Sequence, residues 1–139
     1  MNSQKLEIID LISEWHTRLR AELETSWNKE SEVAISNTEW HILTKIYNGM
    51  HAISDITKSV YITRQATHKH LKNLQAKHLV EIYGDDQNKK KKNVQLTSQG
   101  VYLIQRYNEL KENLECTLKK SIGDEAYNEL QLILSKNFK

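Results

Sequence analysis

Residues 52–86 read AISDITKSVYITRQATHKHLKNLQAKHLVEIYGDD, and residues 94–100 follow with VQLTSQG. Ile53, Ile56 and Val60 have the spacing of a short helix, and Thr63 is placed to cap a second one running to about His78. With Leu71 set at zero and an advance of about 100° per residue, Thr67, Leu71, Leu74 and His78 fall on one side of that second helix. Gln65, Lys69, Lys72, Asn73 and Ala76 fall on the other. One face is built to pack; the opposite face is polar, basic and free. Leu79 to Tyr83 then brings β-branched and aromatic residues, Gly84-Asp85-Asp86 supplies turn chemistry, and Asn93 to Thr97 alternates again. This predicts a hairpin whose loop is DDQNKKKK.

Working outward, the segment from Gln4 to Trp27 carries Ile8, Ile12, Trp15, Leu19 and Leu23 at three- and four-residue spacing, an apolar stripe on one long helix. Ser36-Asn37-Thr38-Glu39 has the spacing of a capping box, with Ser36 as cap and Glu39 reaching back. It opens a helix through Trp40, Leu43, Ile46 and Tyr47 that stops near Gly49. After the hairpin, Thr97 can cap a long helix striped by Val101, Ile104, Leu110, Leu114 and Leu118. Gly123 breaks it, and Asp124 starts a sixth helix through Tyr127 and Leu130. The fold class is therefore mainly α with a small β-hairpin.

Composition agrees. The 139 residues suit a single domain, 1–139, and the absence of proline with only four glycines favours long uninterrupted helices. No apolar run approaches a membrane span, the N-terminal residues mix charge into every turn, and one cysteine cannot form an internal disulfide. A reducing cytoplasm is the expected compartment. The net charge of +2 is unevenly spread. Lys58 to Lys92 holds nine Lys or Arg against three acids, a net of +6, while the rest holds eleven against fifteen, a net of −4. A basic centre between acidic arms points to one polyanion-binding place.

Two short helices at about 53–76, joined by a tight turn, form a helix-turn-helix, and a helix with its side chains matches the DNA major groove, about 12 Å wide. The residues placed to meet DNA are Thr63, Arg64, Gln65, His68, Lys69 and Lys72. Lysine can donate to guanine O6 or N7, Gln65 can pair with adenine through two hydrogen bonds, and a phosphate sits well at the helix N-terminus beside Thr63. Lys89, Lys90, Lys91 and Lys92 repel one another unless solvated or neutralised, and at a hairpin tip beside such a helix they can reach phosphates.

The stretch quoted above resembles the winged helix-turn-helix of the MarR family. ISNTEWHIL before it, the long helices on both sides and the LTSQG closing the wing agree with that family's order and spacing. The resemblance implies dimeric regulators, usually repressors, often released from DNA by small ligands. It implies dimerisation helices at 1–35 and 98–139, and a winged DNA-binding lobe at 36–97. Three positions depart from the family pattern. Tyr61 stands where the turn usually has glycine. Thr67 replaces an aliphatic residue on the packing face, with some loss of core. The wing's usual Asp-x-Arg becomes Asp85 and Gln87, which leaves Lys89 or Lys90 to take the arginine's place.

Other candidates are weaker. His41 matches a ligand of a zinc-sensing branch of the family, but the histidine-rich run that branch needs is LIQRYNELKE here. No metal or cofactor is expected. Cys116 lies late on the fifth helix, and is expected to act as a small buried or half-buried hydrophobe. Trp15, Trp40 and Tyr102 are candidates to line a small-molecule inducer pocket, although aromatics at helical spacing are more often core. No phosphate loop, nucleophile–base motif or carboxylate pair supports an enzyme. The expected function is a homodimeric regulator, a repressor as the family resemblance implies, that binds a near-palindromic double-stranded DNA site. The alternatives are an ArsR-type metal-responsive repressor and a helical module whose basic patch binds RNA or an acidic protein.

Overall fold

A computed structural model describes residues 5–138, without the side chains of Asp85, Asn88 and Lys89. The elements are α1 (Ile8–Glu30), α2 (Asn37–Tyr47), α3 (Ile53–Val60), α4 (Arg64–Ala76), β1 (Val80–Asp85), β2 (Asn88–Leu96), α5 (Ser98–Ile122) and α6 (Asp124–Leu134). No helix among the described residues is long and apolar enough to cross a membrane. The chain divides into a lobe, Val33–Tyr107, and a helical unit of residues 1–32 and 108–139.

The lobe has a dense core. Ile42, Leu43, Ile56, Leu71, Leu74, Val94 and Ile104 are fully buried. Trp40 of α2 stacks on Tyr107 of α5 with ring centroids 3.7 Å apart and planes 7° from parallel. Local chemistry sets the helix ends. The Ser36 hydroxyl accepts from the Glu39 amide while the Glu39 carboxylate accepts from the Ser36 amide, a complete capping box. The Thr63 hydroxyl accepts from the Ala66 amide at 3.0 Å and caps α4.

Tyr61, between α3 and α4, adopts φ 58°, ψ 42°. This left-handed conformation is the one glycine takes most easily, and Tyr61 holds it with its side chain 92% exposed. Thr67 is fully buried, yet it removes no stability through an unpaired hydroxyl. Its oxygen donates to the Thr63 carbonyl at 2.9 Å and accepts from the Thr57 hydroxyl at 2.8 Å. The expected core loss is replaced by a polar tie between α3 and α4.

The expected end of α4 and the expected wing loop both change. The packing face of α4 does not extend to His78, because the helix stops at Ala76. The Leu79 amide bonds the Leu74 carbonyl, the His78 amide bonds Gln75, and His78 takes φ 62°. These are the bonds of a Schellman ending, which turns His78 outward and buries Leu79. The hairpin is also longer than expected. The lysine run is not a loop: residues 89–92 belong to β2, and the turn is Asp86-Gln87. Pairing runs antiparallel from Val80↔Leu96 to Gly84↔Lys92, and the next pair is Asp85↔Asn88. Lys89, Lys90 and Lys91 therefore form a three-residue bulge between successive pairs.

The wing is held on both sides. Asn93 bridges to Ala52, and the Val94 amide donates to the His51 carbonyl at 2.8 Å. At its far end the Thr97 hydroxyl donates to the His78 carbonyl at 2.6 Å and accepts from the Gly100 amide at 3.0 Å, so one side chain ties β1 to the start of α5.

In the helical unit, α1, α5 and α6 surround an apolar groove of about 560 Å³, with Leu11, Ile12, Trp15, Leu114, Leu118 and Leu130 among its lining residues. Leu23 and Trp27 are buried, whereas Ile8, Ile9 and Ile12 of α1 and Leu132, Ile133 and Leu134 of α6 are exposed. Cys116 is exposed as well, not the buried or half-buried hydrophobe expected. Its position on α5 turns it away from the apolar side that Leu114 and Leu118 present to the groove.

Candidate nucleic-acid interface

Helix α4 separates its faces sharply. Thr67, Leu71 and Leu74 are buried, and Arg64, Gln65, Lys69, Lys72, Asn73 and Ala76 are exposed. The burial of one face rests on α2 and α3 packing beneath it and on β1 beside it. Arg64, Lys69 and Lys72 thus carry their cations on a rigid element anchored from below, while Thr63 holds the helix start and leaves the amides of Arg64 and Gln65 directed out of the first turn. His68 is half-buried at the margin of this surface.

The second basic element is β2. Lys90, Lys91 and Lys92 are exposed, and the side chain of Lys89 lies outside the described residues. A bulge twists a strand and alters where its side chains aim. Lys90 and Lys91 lie outside the paired register, so the strict alternation of a regular ladder does not order them.

Beneath the surface lies a contact that the sequence reading did not identify. Glu39, 5% exposed, receives His70 Nδ1 of α4 on one carboxylate oxygen at 3.2 Å. Lys77 Nζ lies 3.9 Å from the other oxygen and also donates to the Ala34 carbonyl. A carboxylate at the start of α2 therefore holds both the middle and the end of the helix bearing the exposed cations. The capping-box spacing identified Glu39, but only the packing of α2 against α4 brings His70 to it.

The three aromatics named as pocket candidates have separate surroundings. Trp40 is lobe core against Tyr107, Tyr102 is 74% exposed on α5, and Trp15 lines the groove of the helical unit with the Arg18 guanidinium 5.9 Å from its ring centroid. That groove also holds Arg20, Lys111, Glu115 and Tyr127. Burial, then the charge of Arg20, lowers the Lys111 ammonium from its ordinary range, with Glu115 opposing. Partial burial, then the charge and hydrogen bond of Glu115, raises the Tyr127 phenol. No cluster of three or more metal-ligating side chains occurs among the described residues.

The lobe is a winged helix-turn-helix: a capped second helix on a first, followed by a two-stranded wing. The chain as a whole has the fold of the MarR-type regulators. It is similar to S. aureus MepR solved in complex with DNA, at a TM-score of 0.77 and 22% identity, over 94% of this chain and 96% of that one. The transcriptional regulator PA4135 aligns at a TM-score of 0.79 and 13% identity, over 94% of each chain. S. aureus MepR bound to ethidium bromide aligns at 0.60 and 23% identity, over 94% of this chain and 93% of that one. No protein-family model matches the chain, and no curated protein matches it in sequence.

Proposed function

We propose that this chain is a DNA-binding transcriptional regulator of the MarR type, a cytoplasmic homodimer without catalytic activity. The observation that carries the reading is the division of α4 into a buried apolar face and an exposed face bearing Arg64, Gln65, Lys69 and Lys72, with the basic strand β2 following in the same lobe. Side chains on such a helix reach base edges in the major groove, and lysines on a wing neutralise phosphates. The likeness to MepR in complex with DNA supports the same reading.

The homodimer draws support from the helical unit. Its groove is apolar, and exposed Ile8, Ile9, Leu132, Ile133 and Leu134 extend the apolar surface on α1 and α6. Patches of this kind mark interaction surfaces, and a second copy presents the same helices in return. Two recognition helices set about 34 Å apart then meet successive major grooves of a near-palindromic site, and the bound dimer represses by occluding the promoter. A small ligand that changes this spacing lowers affinity, so it acts as an inducer. MepR solved with ethidium bromide supports a ligand of that kind.

The test is a fluorescence-anisotropy titration of the pure protein against a fragment carrying the promoter of its own gene, with a scrambled duplex of equal length beside it. Binding at least a hundredfold tighter to the promoter supports the regulator. Equal binding to both, or tighter binding to RNA, rejects it in favour of a general polyanion-binding module.

A further inference from the structure

The Glu39–His70 contact carries chemical information beyond its place in the packing. A carboxylate oxygen can only accept, so at 3.2 Å the Nδ1 atom of His70 must be the donor. In a neutral imidazole that leaves Nε2 without a proton, as an acceptor. Nε2 has no partner among the described residues, and no buried side-chain nitrogen or oxygen there lacks one, so Nε2 reaches the surface. On α4, residue 70 lies about 40° around the helix from Ala66 and about 60° from Asn73, at the edge of the exposed face.

Resting on the DNA-binding reading above, we infer that Glu39 fixes the tautomer of His70 so that Nε2 accepts a hydrogen bond from an amino group on a base edge. His70 is then a specificity-determining residue and Glu39 its positioning residue. In the major groove the amino donors are adenine N6 and cytosine N4, while guanine and thymine present acceptors at the corresponding places. An acceptor held on α4 therefore favours adenine or cytosine at one position of each half-site. Lys69 and Lys72, elsewhere on the same helix, can only donate and favour guanine. Lys77 Nζ, 3.9 Å from the other Glu39 oxygen, helps to hold the same carboxylate in place.

Two measurements test this. The first selects binding sites from a random duplex pool with the parent, His70→Ala and Glu39→Gln. The parent is expected to select adenine or cytosine at a position where His70→Ala accepts all four bases, the other positions being retained. Changing that base should weaken the parent about tenfold, roughly one hydrogen bond, and leave His70→Ala unaffected. Glu39→Gln, whose amide can donate or accept, should relax the same position. The second measurement, long-range nitrogen–proton correlation spectra of the free parent, should show the neutral form of His70 carrying its proton on Nδ1. The inference is overturned by identical selected sites for parent and His70→Ala, or by a neutral His70 protonated on Nε2. A parent that selects no sequence at all overturns the DNA-binding reading itself, and with it the inference.

Discussion

A β-carbon placed on Gly100 would lie 2.1 Å from the carbonyl oxygen of Leu79. The first turn of α5 is thus seated directly on the backbone at the entrance to β1, and Thr97 bonds the neighbouring His78 carbonyl. Backbone cannot move aside as a flexible side chain can. Gly100→Ala should therefore destabilise the protein by about 2–3 kcal/mol, in the range of forced overpacking. Chemical denaturation measures this, and an unchanged midpoint would mean that α5 does not sit on the wing.

The two faces of α4 predict variants of opposite behaviour. Leu71→Ala empties a fully buried position and should cost about 2–5 kcal/mol in stability. Lys69→Ala and Lys72→Ala change exposed side chains, so each should keep the parent melting temperature and lose about 1–3 kcal/mol of operator affinity. Melting curves and anisotropy titrations on the same three preparations decide the matter. Parent-like operator binding by both lysine variants would remove the exposed face from the interface.

These pairs also show what a sequence yields. The caps at Ser36 and Thr63 and the buried Leu71 and Leu74 were readable because they depend on spacings of three and four residues. The extent of α4 was not, because apolar spacing continues smoothly to residue 78 while the backbone has already left the helix in a Schellman ending. The lysine run misled for a related reason. Four like charges have low strand propensity, and the antiparallel partner that draws them into β2 is set by the ladder beginning at Val80↔Leu96. Thr67 suggested a loss of core because its hydroxyl's partner, Thr57, lies on another helix. The link from Glu39 to His70 spans 31 residues, and no local pattern announces it.

The wing prediction follows from its corrected geometry. Replacing Lys90, Lys91 and Lys92 together by Ser removes three exposed cations from a strand held by its pairing, so the fold should persist. Affinity for specific and nonspecific DNA should fall by similar factors, because phosphate contacts carry little direct sequence information. In a log–log plot of affinity against salt, each lost contact lowers the slope by about one. Lys90 and Lys91 lie in the bulge and Lys92 in the ladder, so one or two lost contacts per subunit are expected, not three. Equal slopes for parent and variant would show that the wing lysines only face solvent.

The final prediction concerns the helical unit. Ile12 of α1 lines the apolar groove and is 53% exposed in the single chain. If a second copy covers this surface, Ile12 becomes buried on assembly, and a carboxylate in its place would have to lose water without an assured partner. A buried charge left unpaired costs several kcal/mol, and the substitution occurs twice in a symmetric dimer. Ile12→Glu should therefore raise the dimer dissociation constant by at least a hundredfold. Because the parent chain alone already exposes this position, the monomer should retain its helical content. Sedimentation equilibrium across a range of concentrations gives the constant, and circular dichroism checks the helices. Operator affinity should fall in parallel, since a monomer presents one recognition helix to a site built for two. A variant that still sediments as the parent does, with unchanged operator binding, would exclude this groove from the subunit contact. A parent that is monomeric at every concentration would reject the homodimer outright.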